Sequence, residues 1–248
     1  MRSELHADGL EIVTVSLEMS GPEASRPYID AAAPQHPSLL DPTHVVDALF
    51  GVVNIPNVVW IDEAGIIVRP AEAGWPGGRQ EFPANLMTSM PKVGRAPNAP
   101  RRPEGVPAAN QLNTGQDRAH YADAIRDWVA NGASSTYAFS PDEVISRSQP
   151  RSINESEGAA HFELANHLWV TGQRDAAISH FNDCHRLQPD NWTYKRQAWS
   201  AVSNDVGGEF GRFVQGPLQG EEDNWPFASD FRSDVAMVPE GGYYPATM

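Results

Sequence analysis

The first seventy residues break into short apolar blocks separated by turn residues. Leu10 to Leu17 is a β-branched, apolar run behind Gly9, the pattern of a strand buried on at least one face. Ser20-Gly21-Pro22-Glu23 then opens a helix. Proline suits the first helical position, whose N–H has no intrahelical use, and Glu23 faces the positive end of the helix dipole. The pattern carries this helix through Tyr28 and Ile29 to about Ala33, where Pro34 stops it. A short strand follows within His36–Asp41. Asp41-Pro42-Thr43 caps the next helix, His44 to Phe50, and Gly51 ends it. Asn57–Asp62 and Ile66–Arg69 read as antiparallel strands around Glu63-Ala64-Gly65, with Gly65 free to take a positive φ.

Beyond Ala71 the periodicity fades. Gln80 to Met90 can close a first domain as a helix, and Pro91 to Arg102 has the proline density of a linker. Ala119, Tyr121, Ile125, Trp128 and Val129 repeat at three- and four-residue spacing, which predicts a helix over 119–131. Ser140-Pro141-Asp142-Glu143 is a helix start, with Ser140 as N-cap and Glu143 three residues on. Helical patterning resumes at Glu157. After Val206 the chain is rich in Gly, Pro and aromatic residues, so the tail is expected to lie across the body in extended form.

Charge and cysteine content narrow the functional classes. The 248 residues carry a formal charge of −14, which disfavours a nucleic-acid partner; Arg95, Arg101 and Arg102 in the Pro-rich stretch are the one basic cluster. Cys184 is the single cysteine, so no intramolecular disulfide can form. No apolar run reaches the ~18 residues of a membrane span, and the N-terminus does not read as a signal peptide, so a cytoplasmic location is expected.

One segment carries a family resemblance. Val53-Asn54-Ile55-Pro56-Asn57-Val58-Val59-Trp60-Ile61-Asp62-Glu63-Ala64-Gly65 resembles the segment of TlpA/ResA-type thioredoxin-like proteins in which a proline opens a β-hairpin. The preceding order of strand, helix, strand and helix, from about Leu5 to Ala73, is similar to that family as well. The resemblance implies a cis Ile55–Pro56 bond. It also implies that Ile55 and Pro56 form a substrate-binding loop, whose backbone meets an extended polypeptide. The family's chemistry needs a Cys-x-x-Cys whose first thiol is acidified at a helix N-terminus and whose second resolves the mixed disulfide. Neither those cysteines nor the strand that carries them is present in this chain. By the family's pattern that strand is central, between those matching Leu10–Leu17 and Asn57–Asp62. Its absence leaves three expectations: the flanking strands pair directly, a partner donates a strand, or the natural protein starts further upstream. The last is favoured, with a misplaced start or a selenocysteine codon read as a stop as its two routes.

Residues 158–191 resemble one tetratricopeptide unit. Leu164, Ala165 and Leu168 fall in its first helix, Gly172 at its turn, Ala177, Phe181 and Cys184 in its second helix, and Leu187 and Pro189 at its close. His161 stands where that pattern has Trp. Such units stack in about three copies for stability, so a helical cap is the simpler expectation than a peptide-binding array. Asp190-Asn191 opens a further helix through Tyr194, Ala198 and Trp199.

Other candidate chemistry has simpler explanations. His180 and Cys184 lie one helical turn apart, beside His185, a spacing that can present two metal ligands. Cys184 falls at a core position, however, so no metal and no cofactor are assigned. Asp41 and His44 could form an acid–base pair but are better explained by capping, and Asp62 and Glu63 belong to a turn. No phosphate loop, nucleophile elbow or HExxH motif is present, and no catalytic residue is assigned.

The sequence therefore predicts an α/β chain: a thioredoxin-like sheet lacking its first, central strand, then an all-α tetratricopeptide-like region. The expected boundaries are 1–90 for the first domain, 91–114 for the linker, 115–206 for the helical domain and 207–248 for the tail. The expected function is that of a thioredoxin-like thiol–disulfide oxidoreductase family member, inactive without its redox motif. The alternative is a redox-inactive protein–protein interaction module using the proline loop and the helical unit. Partners would be protein thiols or disulfides, or a peptide, with no nucleic acid and no membrane.

Overall fold

The computed structural model describes residues 1–74, 92–101, 118–148, 150–207, 215–239 and 242–244. The helix expected at 80–90 lies outside them. The chain is mixed α/β and forms two compact units. Among the described residues, 1–74, 118–148 and 150–152 form the first unit, and 92–101, 153–207, 215–239 and 242–244 the second.

The first unit follows the predicted order. After α1 (Arg2–Leu5) come β1 (Thr14–Ser16), α2 (Pro22–Ala32), β2 (Ser38–Leu40) and α3 (Val45–Phe50). β3 (Asn57–Ile61) and β4 (Ile67–Ala73) then form the hairpin. β1 is shorter than the apolar run that announced it, and β4 runs four residues past Arg69. The hairpin turn is held by Asp62, whose Oδ1 accepts from the N–H groups of Ala64 (3.0 Å) and Ile66 (2.8 Å). Gly65 adopts φ 79°, which a side chain would resist.

The strands form two separate sheets. β1 pairs in parallel with β2, matching Val15 to Leu39, and β3 pairs antiparallel with β4, matching Trp60 to Arg69. No ladder joins β1 to β3 among the described residues. Direct closure of the two flanking strands, one of the three expectations, is therefore not what the chain adopts.

Two helices expected in the second domain pack in the first unit: α4 (Arg118–Asn131) and α5 (Pro141–Arg147). Leu5, Trp60, Tyr121, Ala124 and Ile125 form the core there. Trp60 stacks on Trp128 with ring centroids 4.9 Å apart. Local periodicity announces a helix but not the sheet its apolar stripe will cover. The α4 stripe finds the inner face of the hairpin, and Gly74 permits the approach, since a Cβ there would sit 2.8 Å from the Tyr121 ring and Val58. Ser140 caps α5, its Oγ accepting from the Glu143 N–H at 3.3 Å.

In the second unit α6 (Ile153–Val170) and α7 (Arg174–Leu187) form a hairpin that turns at Gly172 (φ 84°), and α8 (Trp192–Gly207) follows. Phe162, Ala165, Ala177, Phe181 and Cys184 are buried, and Phe162 stacks on Tyr194 at 4.1 Å. Leu164, in the first helix of the tetratricopeptide pattern, is exposed. The tail is not simply extended. It forms a short helix, α9 (Phe231–Val235), and buries Trp225, Phe227, Tyr243 and Tyr244. The described part of the expected linker, 92–101, belongs to this unit rather than spanning between domains. Ala96 donates its N–H to Asp230 Oδ2 at 3.0 Å, and Val93 bridges to Leu218. Proline density marked irregular backbone correctly, but Asp230 supplies the acceptor that ties this stretch down.

Candidate functional site

The sequence pointed to the Ile55–Pro56 loop, and the structure places it immediately before β3 with a cis peptide bond. Pro56 is exposed and Ile55 half-buried. Buried Asn54 turns its Oδ1 onto the Ile55 N–H at 2.9 Å. A polypeptide docking on that N–H would have to displace the Asn54 amide.

The first unit leaves several apolar side chains uncovered. Val13 precedes β1 and is 54% exposed, and Val53 precedes the loop at 46%. Leu39, Val45, Leu49 and Phe50 are exposed too, while the buried side chains of the same stretch are Met19 and the polar Ser25, Asp41, His44, Asp47 and Asn54. Exposed apolar side chains in this number are what an interaction surface draws on.

Asp41 and His44 do not form the acid–base pair that their spacing allowed. Asp41 Oδ2 accepts from the Val46 N–H at 2.7 Å and so caps α3. His44 Nδ1 instead meets Asp47 Oδ2 at 2.8 Å, both side chains being almost fully buried. Burial pushes the Asp47 carboxyl above its ordinary range, opposed by its bond to His44.

A buried polar network, invisible in the sequence, crosses the hairpin and α4. Arg69 makes a two-pronged contact with Glu72, Nε to Oε1 at 2.7 Å and Nη2 to Oε2 at 2.8 Å, and donates to the Tyr137 carbonyl at 2.9 Å. Its guanidinium lies 4.3 Å from the Phe139 ring centroid. The Tyr121 hydroxyl donates to Glu72 at 3.3 Å and accepts from the Trp60 indole at 3.1 Å. Burial and the nearby Glu72 charge both push the Tyr121 phenol up. Every member is satisfied and shielded from solvent, as suits a structural network.

In the second unit the sequence-proposed set of His180, Cys184 and His185 is dispersed. Cys184 is buried and its thiol is pushed up by desolvation, which makes it unreactive. His185 packs against Trp199 and Phe227, and burial pushes its imidazolium down to about 3, with the Lys195 charge acting in the same direction. His180 faces His161 on α6, with the two Nδ1 atoms 2.8 Å apart. A cavity of about 340 Å³ is lined by Trp192, Lys195, Asp234 and Met237. The Lys195 ammonium there is engaged by Asp234 and by the Pro189 carbonyl.

No protein-family model, curated protein or solved structure matches this chain. Among the described residues no helix is long and apolar enough to cross a membrane.

Proposed function

We propose that this chain is a thioredoxin-like scaffold of the TlpA/ResA type that binds an extended polypeptide and performs no thiol–disulfide exchange with its own residues. One observation carries the reading: β1–β2 and β3–β4 are separate sheets, flanked by exposed apolar side chains. An added strand would pair with backbone groups at the sheet edges and cover Val13 and Val53 with its alternate side chains. The Pro56 loop beside β3 supports the same placement. The lone thiol supports the absence of exchange, since Cys184 is enclosed in the second unit and burial disfavours its thiolate.

Selection of displayed peptides on the full chain tests this. The reading expects extended sequences with alternating apolar residues, whose binding weakens at least about tenfold in Val13→Asp and Val53→Asp, or ~1.4 kcal/mol. Selected helical peptides, or binding indifferent to both substitutions, would refute it.

The split sheet also favours a second reading, in which the occupant is the strand that bears Cys-x-x-Cys in the resembled family. Peptide mapping of the native protein by mass spectrometry separates the two. Peptides carrying such a motif ahead of Met1 would make the protein an oxidoreductase. In either case this 248-residue chain should not accelerate insulin reduction by dithiothreitol.

A further inference from the structure

The α6–α7 hairpin brings together three side chains that no spacing rule connects. His161 projects from α6, while His180 and Asp183 project from one face of α7, three residues apart. His161 Nδ1 lies 2.8 Å from His180 Nδ1 and 4.0 Å from Asp183 Oδ2, and the three donor atoms lie within 4.8 Å of one another. We propose that these residues bind one divalent transition-metal ion of the zinc class, which clips α6 to α7.

The chemistry of the donor set supports this ion. Two imidazoles and one carboxylate suit zinc and its neighbours, whereas calcium and magnesium take all-oxygen sites. With metal–ligand bonds of 2.0–2.1 Å, donors around a tetrahedral ion sit about 3.3 Å apart. The His161–His180 and His161–Asp183 separations, 2.8 and 4.0 Å, straddle that distance, so small side-chain rotations complete the geometry.

The surroundings are arranged for it as well. Arg186 donates to Asp183 Oδ1 at 3.0 Å, which leaves Oδ2 turned toward His161. On the far side of the His161 ring, Glu157 Oε1 stands 4.0 Å from Nε2. A carboxylate on that side, 4.0 Å away and short of a direct hydrogen bond, favours the Nε2–H tautomer electrostatically and leaves Nδ1 as the ligand atom; such a group is the usual outer-shell partner of a metal-bound histidine. The cluster is partly exposed, with His161 at 22% and Asp183 at 40%, so an ion can enter and water can take the fourth position. Cys184, on the same helix, is buried and is not a ligand.

The test is calorimetric titration of the chelator-stripped full chain with Zn²⁺ alone, joined to zinc X-ray absorption on the loaded protein. One ion per chain is expected. Affinity should fall at least tenfold in His161→Ala and in His180→Ala, and stay unchanged in Cys184→Ser and in His167→Ala, an exposed control on α6. The absorption spectrum should show nitrogen and oxygen at about 2.0–2.1 Å with no sulfur near 2.3 Å. This second measurement uses the unaltered protein and so does not depend on any variant folding. Absence of binding at about 100 μM Zn²⁺, binding indifferent to both histidine substitutions, or sulfur in the shell would each overturn the proposal.

Discussion

Truncation of Glu72 should be among the most damaging single changes in the first unit. Its carboxylate makes a two-pronged ion pair with Arg69, and the two side chains are 9% and 3% exposed. Glu72→Ala removes both prongs of that pair and the acceptor of the Tyr121 hydroxyl. The Arg69 guanidinium would remain enclosed against Phe139, with the Tyr137 carbonyl still bonded but the two-pronged carboxylate gone. Breaking a buried ion pair from one side costs about 3–5 kcal/mol, a large share of the ~5–15 kcal/mol that holds a domain folded. Replacing both partners, as in Arg69→Met with Glu72→Leu, should cost much less, because two apolar chains leave no charge behind. The assay is urea unfolding, joined to hydrogen exchange on peptides from β3 and β4, which reports the first unit separately from the second. A double-mutant cycle then gives the coupling between the two residues. A loss below about 1 kcal/mol for Glu72→Ala, in the range of exposed pairs, would refute the argument that burial makes this network costly to break.

Other consequences concern the second unit. His185 should make its stability fall on acidification. The folded-state value of about 3 lies below the unfolded value of ~6.5, so the unfolded chain binds the proton first; stability is present in full above ~6.5 and is lost between there and about 3, at up to ~1.4 kcal/mol per pH unit. Thermal melts from pH 7 to 4 should show this slope flattened in His185→Phe. Asp230→Ala should release the 92–101 segment and unwind α9, since one carboxylate accepts from the Ala96 N–H, the Ser233 N–H (2.9 Å) and the Ser233 hydroxyl (2.7 Å). A cost of ~2–4 kcal/mol and faster exchange in both segments are expected. Cys184 should react with a thiol reagent only on unfolding, at a rate that tracks urea concentration, because its thiol is buried.

The local elements were legible because their signals are local. A proline after Gly21, the Ser140 cap, a glycine behind Phe50 and another at the Gly172 turn act through the backbone of their immediate neighbours. Helix ends and hairpin turns therefore fall close to where those residues place them. The resemblance at Pro56 anticipated the peptide geometry found there. β1 came out shorter than its apolar run because a strand extends only as far as its partner, and β2 offers three residues.

What the sequence by itself determined is this set of elements, the acidic surface and the presence of a single thiol. Which elements share a core was decided only in three dimensions. α4 joined the first unit because its apolar face meets Trp60, some sixty positions earlier, and the Tyr137 carbonyl ahead of α5 meets Arg69. The Pro-rich stretch and the tail became one structure through Asp230, more than a hundred residues from Ala96. His180 is readable from the sequence as a possible ligand, but helical spacing pairs it with Cys184 on its own helix. The facing helix supplies His161 instead, nineteen residues back, and only the hairpin's packing sets that distance. Periodicity records which side of an element avoids water; the side chain it will meet there depends on the rest of the chain.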